Sequence, residues 1–536
     1  MKDRIFIQQW LELKPYDKQT LTDNYYLKIA NNLKKVLDAP DAFILLMYID
    51  KDEIDFLSCF LTSYFEDIIS GTNIWNTFTR IHKQHYNKII PFFDTNDYFE
   101  NEINVQDVSF LIWYFLNTVQ DEKFISPFNS FIMQIASKVM EILGEEYEYA
   151  PENSYLKTFY TIDETETDFY KVRKLIDTLL FKTWLFFPDT ALDLIDKENE
   201  LIEKGKDENL LHYLQETRDV LVHTSHTHLM SLKGKEWAGN LLGGKHPLSA
   251  DLKNMSQPIR GFFLYKGQDD ADIFIEHIAS GKPFKLTKKS FDHAHLLYTI
   301  DTIMYVGIVE WQNEWWFSGV YFQNEFNADM VLKEKNSMKS RMQVNFLDHK
   351  RQETKETLKL QFDAFLDFNK GLQIAFLPSG KINEFLQNYI EHFNSSLKLS
   401  KKQIEEARKN SRADGYFGDK DKPIVDFIED GDSGLVFFNP ESGPEIAMNF
   451  NHVFPLKHNP FYIPGEDPAE VLDLFISDQT SKELAEYCIK HCKSKLPFFK
   501  TELGKLYLKD IDFLLRFWKR SAYFSKPSIT FTGQKG

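Results

Sequence analysis

The sequence predicts a multidomain α+β protein with an all-α helical N-terminal half, a small five-stranded β-barrel-like module and a mixed α+β C-terminal region. Three observations carry that expectation. From about residue 20 to 230 apolar residues recur at helical spacing, and strand signals are nearly absent. At about residue 259 the period shortens to the alternation of strands. From residue 326 helix and strand signals interleave. The 536 residues suit two to four domains.

The helical half reads element by element. LTDNYYLKIANNLKKVL opens with Thr22 and Asp23 as cap candidates. DEIDFLSCFLTSYFEDIIS stops at Gly71, a natural residue to follow a helix. VQDVSFLIWYFLNTV and SPFNSFIMQIASKVMEIL come next, the latter with Ser126 as cap and Pro127 at the first helical position. FYKVRKLIDTLLFKTWLFF, ALDLIDKENELIEKG and ENLLHYLQETRDVLVH complete a domain expected over residues 1–236. The cluster of Gly, Pro, Ser and Asn in residues 237–258 reads as a linker or long covering loop.

Five strand candidates follow in residues 259–325: IRGFFLYKG, DIFIEHI, PFKLT, IMYVGIVEW and EWWFSGVYF. Such short strands in so short a span suggest a barrel of the SH3 or OB kind, with Gln312–Asn313 as a tight hairpin turn. The last domain, 326–536, holds a charged helix (QETKETLKLQFDAFLDFNKG), a strand–turn–helix (LQIAFLPSG, KINEFLQNYIEHF) and a polar stretch at 401–423. It continues with a β-hairpin around Asn-Pro-Glu-Ser-Gly and closes on helices at PAEVLDLFI, SKELAEYCIKHC and KDIDFLLRFWKR.

Composition bounds the function. Hydrophobic residues make up 43% of the chain and aromatics 15%, enough for large cores or aromatic-lined grooves. The net charge of −17 repels phosphate backbones and disfavours non-specific duplex binding. Three cysteines, Cys59, Cys488 and Cys492, build no disulfide framework and fit a reducing compartment. MKDRIFIQQWLELKPYD lacks the apolar core of a signal peptide. FLIWYFL and LLFKTWLFF fall short of the roughly 20 residues that span a bilayer. A soluble cytoplasmic protein with no membrane contact is expected. No Walker A loop, Rossmann glycine triad, nucleophile elbow, HExxH or EF-hand loop is present.

LTSYFEDIISGTNIWNTF (61–78) and EINVQDVSFLIWYFLNTVQDEKFISPFNSFI (102–132) resemble an uncharacterised bacterial family, a domain of unknown function. The resemblance is strongest over residues 1–160. It implies a bacterial cytoplasmic protein and brings no activity, cofactor or site residue.

RDVLVHTSHTH (218–228) gathers an arginine, an acid and three histidines. Arg218, Asp219 and His223 resemble the HEPN ribonuclease motif, Arg-(Asn/Asp/His)-x-x-x-His near the end of the last helix of a bundle. That resemblance implies metal-free RNA cleavage: the imidazole moves a proton, the guanidinium clamps phosphoryl oxygens, and Asp219, four residues before His223, orients the ring. On a regular helix Arg218 and His223 point roughly 140° apart. They converge only if the helix ends between them or a second subunit completes the site. The alternative is a structural arginine beside a surface Asp–His pair. His223, His226 and His228 raise a metal reading only if a loop gathers all three, and no cysteine lies nearby. A histidine-rich helix terminus needs no ligand.

Cys488, His491 and Cys492 share a helix face, which fits buried thiols beside a surface histidine better than a metal set. In EWQNEWWFSGVYF, Trp315, Phe317 and Tyr321 share one strand face and Trp316 the other. One face fills the barrel; the other is covered, or is a platform that stacks bases or holds a peptide. Lys285 and Lys288 lie close by in sequence. The leading expectation is a non-enzymatic binding or scaffold protein that engages a protein or single-stranded nucleic acid through Trp311, Trp315, Trp316, Lys285 and Lys288. The alternative is a HEPN-like ribonuclease using Arg218 and His223. Neither reading calls for a cofactor or a metal.

Overall fold

A computed structural model describes residues 4–120, 124–205, 209–297, 299–345, 351–397, 400–402, 405, 433–464 and 468–525. Most of the polar stretch expected at 401–423 lies outside the described residues. The chain divides into two compact units. One comprises Met1–Met255 with Trp311–Asn313; the other comprises Ser256–Glu310 with Glu314–Gly536.

The first unit is helical: α1 (Ile7–Glu12), α2 (Asp23–Leu37), α3 (Lys51–Ser70), α4 (Ile74–Tyr86), α5 (Val105–Val119), α6 (Ser130–Glu146), α7 (Ser154–Thr158), α8 (Phe169–Phe181), α9 (Leu192–Lys204), α10 (Leu210–Thr224), α11 (Gly234–Leu242) and α12 (Leu248–Asn254). Helix α3 starts in a reciprocal box. Asp50 accepts from the Glu53 main chain while Glu53 accepts from the Asp50 main chain. It ends at Gly71, whose left-handed φ of 60° closes the helix at no side-chain cost. Helix α5 buries Phe110 through Leu116 on every side, as expected of a central helix. Many of the aromatics pack here. Phe60 packs on Phe115 and Trp184, and Trp75 and Phe78 pack on Phe110.

Polar groups are also buried in this unit, several of them in one network. The Lys14 ammonium pairs with Glu66, donates to Ser63 Oγ at 3.0 Å and lies 3.7 Å over the Trp10 ring. Asn153 donates to Glu66 Oε1 and Tyr16, and Tyr16 and Trp10 both donate to Asp23. Buried charge survives only when paired and hydrogen-bonded on all sides.

The stretch expected as a linker at 237–258 is largely helical. Gly239 within it serves packing. A Cβ on Gly239 would lie 2.8 Å from the Ser249 carbonyl oxygen, and one on neighbouring Gly234 would lie 2.6 Å from Ile176 Cγ2.

The second unit begins with a closed barrel of β1 (Ile259–Gln268), β2 (Asp272–His277), β3 (Pro283–Thr287), β4 (Ile303–Trp311) and β5 (Glu314–Asn324), in the order β1-β2-β3-β5-β4. Neighbours β1/β2, β1/β4 and β2/β3 are antiparallel, and β3 meets β5 in parallel at Leu286 and Trp315. Of the two expected barrel kinds, this is OB connectivity. Ile259, Phe263, Ile273, Ile275, Leu286, Met304, Val306 and Ile308 fill the interior. Gln312 and Asn313 both take left-handed φ (49° and 65°), as a two-residue hairpin with right-twisted strands requires.

After the barrel come α13 (Ala328–Lys335), α14 (Met338–Asn345) and α15 (Arg351–Phe368). A three-stranded antiparallel sheet, β6 (Ile374–Pro378), β7 (Ser433–Asn439) and β8 (Gly443–Met448), has the order β6-β7-β8, with α16 (Ile382–Ser396) inserted in sequence. Helices α15 and α16 cover it through Phe365, Leu386, Tyr389, Val436 and Phe438. Among the described residues four helices follow: α17 (Pro468–Ile476), α18 (Lys482–Cys492), α19 (Glu502–Lys509) and α20 (Ile511–Trp518). Among the described residues no helix is long and apolar enough to cross a membrane.

Candidate functional site

The RDVLVH residues lie on α10, and their partners form one ladder on α8. Phe169, Arg173, Asp177 and Phe181 recur every four residues, hence along one helix face. Arg218 binds Asp177 in a two-pronged pair, Nε to Oδ1 at 2.7 Å and Nη2 to Oδ2 at 2.9 Å, and lies over the Phe181 ring. Asp219 is buried against Arg173, Nε to Oδ1 at 2.8 Å. The buried His223 ring stacks parallel to Phe169, 6.3 Å between centroids.

The ribonuclease geometry expected of Arg218, Asp219 and His223 is therefore not formed within the chain. Phe181 and Phe169 are twelve residues apart, about 18 Å of helical rise, so guanidinium and imidazole sit at opposite ends of the α8 ladder. Asp219 meets Arg173 across the two helices. The cause is the helix pitch: five residues carry Arg218 and His223 to different faces and different levels.

The three histidines also separate. His226 forms an isolated bridge with Lys233, and His228 turns to Asp189. Among the described residues no three His, Cys, Asp or Glu side chains gather as a metal-holding group. Cys488 and Cys492 are buried, the Cys488 thiol facing the Val453 carbonyl, while His491 stacks on Tyr487.

The Trp-rich hairpin follows strand alternation, but it is no open platform. Trp311 is 1% exposed and donates to the Thr167 carbonyl; Trp316 is 4% exposed. Trp315 is half-buried, edge-on to Phe284 and packed on the barrel interior with Phe317 and Tyr321. Large rings on a closed barrel are consumed by filling and covering it. Lys288 donates to the Asp269 carbonyl, and Lys289 pairs with Glu314 at 2.7 Å. Lys285 is exposed, its ammonium 5.9 Å from the Phe274 ring centroid.

One pair was missed by sequence reasoning. The Asp189 carboxylate, fully buried, receives the His228 main-chain N–H on Oδ2 at 2.7 Å and meets the His228 ring Nδ1 on Oδ1 at 2.9 Å. Asp189 sits at a kink between two helical stretches, with non-helical φ −112° and ψ −105°. Met230 and Ser231 take left-handed φ of 63° and 54°. The Thr227 hydroxyl fastens this loop, donating to the Leu229 carbonyl and accepting from Trp237. The unusual backbone geometry thus falls at Asp189, Met230 and Ser231, held by the surrounding packing.

A family model described as "Protein of unknown function (DUF3843)" matches residues 4–271. The matched stretch contains the α8–α10 ladder and the Asp189–His228 pair, and ends in the β1–β2 turn. No curated protein and no solved structure matches the chain.

Proposed function

This chain belongs to the DUF3843 family, whose function is unknown, and from that premise we propose that it is a binding protein whose barrel docks a protein partner on the outer face of β2 and β3. One observation carries the reading. Phe274 is half-buried at the centre of that face, between the outward positions of Asp272 and Glu276, with Asp269 and Asp270 in the preceding turn. OB barrels hold extended ligands on this face and with the turns between strands one and two and between four and five.

Electrostatics select the partner. Lys288 donates to the Asp269 main-chain carbonyl, and Lys285 lies beside the Phe274 ring. Four carboxylates border the aromatic centre on a chain of net charge −17. A phosphate backbone is repelled from such a surface, whereas a cationic protein segment with an apolar anchor is attracted. A photoreactive residue placed at position 274 in the native host tests this. Discrete protein adducts, diminished by Asp272→Lys/Glu276→Lys, are expected. Adducts to nucleic acid, or no adduct above a surface control position, contradict it.

A further inference from the structure

We propose that Lys457, His458, Lys490, His491, Lys493 and Lys495 form a site for single-stranded nucleic acid, with phosphates on the ammoniums and bases on the imidazoles. The assignment does not rest on the barrel reading. It starts from a reversal of sign. The chain carries 80 Asp and Glu against 63 Lys and Arg. Residues 490–509 carry six lysines against one acid, Glu502, which pairs with Lys505 at 2.6 Å.

Packing brings the two cationic segments together. Helix α18 and its continuation are joined twice to the loop 451–459. The Cys488 thiol meets the Val453 carbonyl, and the Lys495 ammonium donates to the Pro455 carbonyl at 3.0 Å. The loop is itself held to the sheet. Buried Asn459 donates to the Asn451 and Phe454 carbonyls, and Asn451 donates to the Gly434 carbonyl of β7. Aromatics of one sheet face back both imidazoles. His458 lies against Phe376 of β6, 5.5 Å between centroids. His491 lies 4.3 Å from Tyr487, which packs on Phe437 of β7. Phe376 and Phe437 share that face, because Phe437 opposes Ile374 and Phe376 follows it by two residues. All six residues of the site are exposed. The nearest carboxylate in sequence, Glu486, interacts with Lys482, Glu483 and Asp512.

This combination selects a single strand. At physiological salt a surface charge reaches about 8 Å, so the local lysines set the potential and the distant carboxylates do not. A phosphodiester strand brings a charge on every nucleotide and unpaired bases that stack on ring faces whatever their sequence. A duplex hides its base faces. An acidic peptide uses the ammoniums and leaves the rings idle. An anionic membrane is a plane that presses the rest of an acidic chain against like charge. The surroundings of the rings are already cationic or dry. Burial and Lys490 hold the His491 imidazole below its ordinary pKa, and burial does the same for His458.

Fluorescence anisotropy of the full chain with labelled strands of about 16 nucleotides tests the site. Oligouridine and oligodeoxythymidine are the two arms, and a preference for either supports the assignment and names the sugar. At least one strand is expected to bind more tightly than a matched duplex, polyglutamate or phosphatidylserine vesicles. Its affinity should fall with salt at a log–log slope of about −3, as four phosphate contacts require. Binding of neither strand, a slope near zero, or equally tight binding of duplex, polyglutamate or vesicles overturns the assignment. Lys490→Glu with Lys493→Glu should weaken the strand about tenfold or more. Lys197→Glu with Lys204→Glu makes the same change of net charge on the exposed face of α9 and should leave binding near wild type; equal effects of the two pairs overturn the assignment. His491→Ala should weaken the strand about fivefold or more through the lost stack, and unchanged binding contradicts the role of the ring. In the wild-type chain, proton NMR should show His491 titrating at higher pH once the strand is bound, because phosphate charge stabilises the imidazolium. An unmoved or lowered titration contradicts contact at His491.

Discussion

The helical unit and the barrel solve the burial of polar groups in opposite ways. The helical unit takes charge into its core and surrounds it with hydrogen-bond partners around Lys14, Glu66, Asp23 and Asn153. The barrel interior is apolar apart from His277, whose Nδ1 meets Ser280 Oγ at 2.9 Å while its Nε2 is buried without a partner. The contrast teaches where each unit is fragile. A networked core fails when one member is removed, because the others are left uncompensated. An apolar barrel fails when space is violated or when its buried imidazole gains charge.

The largest expected effect breaks the first half of that comparison. Lys14→Ala strands Glu66 in the core and should cost the helical unit about 3–5 kcal/mol, enough to unfold a marginal domain. Lys14→Met with Glu66→Leu removes both charges and should recover much of the loss. Urea denaturation followed by tryptophan fluorescence reads both variants. A Lys14→Ala variant that keeps wild-type stability contradicts the network account.

Acidification sharpens the second half. Burial pushes His277 down from 6.5 to about 4. Between those values the unfolded chain binds a proton that the folded barrel refuses, so the barrel loses stability as pH falls from 6.5 to 4. The full loss is about 3 kcal/mol. In the helical unit, burial raises Asp67 to about 6 and Asp107 to about 7. Their contribution is fully present below pH 3.8 and is lost as pH rises through 6 and 7. They oppose His82, which burial lowers to about 4 and which weakens the unit on acidification. Hydrogen exchange resolved by unit, from pH 7 to 4, should show the barrel opening first. His277→Phe should flatten the acid limb of the barrel alone, and an unchanged limb contradicts the assignment to His277.

A smaller effect tests space. A Cβ on Gly307 would lie 2.4 Å from the Ser318 carbonyl oxygen. Gly307→Ala should force β4 and β5 apart and cost about 1–3 kcal/mol. Thermal unfolding with no shift contradicts the close approach.

Much of this architecture is legible in the residues, because periodicity reports burial directly. The helical period of α3 and α5, the change of period at 259, and Gln312–Asn313 between two alternating runs all name their elements. Two things were not legible. Gly234 and Gly239 look like loop residues, since composition cannot tell a glycine that frees the chain from one that lets two helices touch. The Asp189 partner of His228 lies 39 positions upstream in LFFPDT, next to Pro188, where no spacing rule links it to a histidine. The α8 ladder was readable in principle. Phe169, Arg173, Asp177 and Phe181 at four-residue intervals present the groups that Arg218, Asp219 and His223 require, but pairing two helices needs their register, which one sequence does not state.

The claim on which the rest depends is that RDVLVHTSHTH resolves into a structural seam, Arg218 to His223, and a separate histidine, His228, that turns to Asp189. Double-mutant cycles on urea stability test it most directly. The account predicts a coupling of about 1 kcal/mol or more between Arg218 and Asp177, and one within about 0.5 kcal/mol of zero between Arg218 and His223. A coupling between Arg218 and His223 as large as that between Arg218 and Asp177 would contradict it.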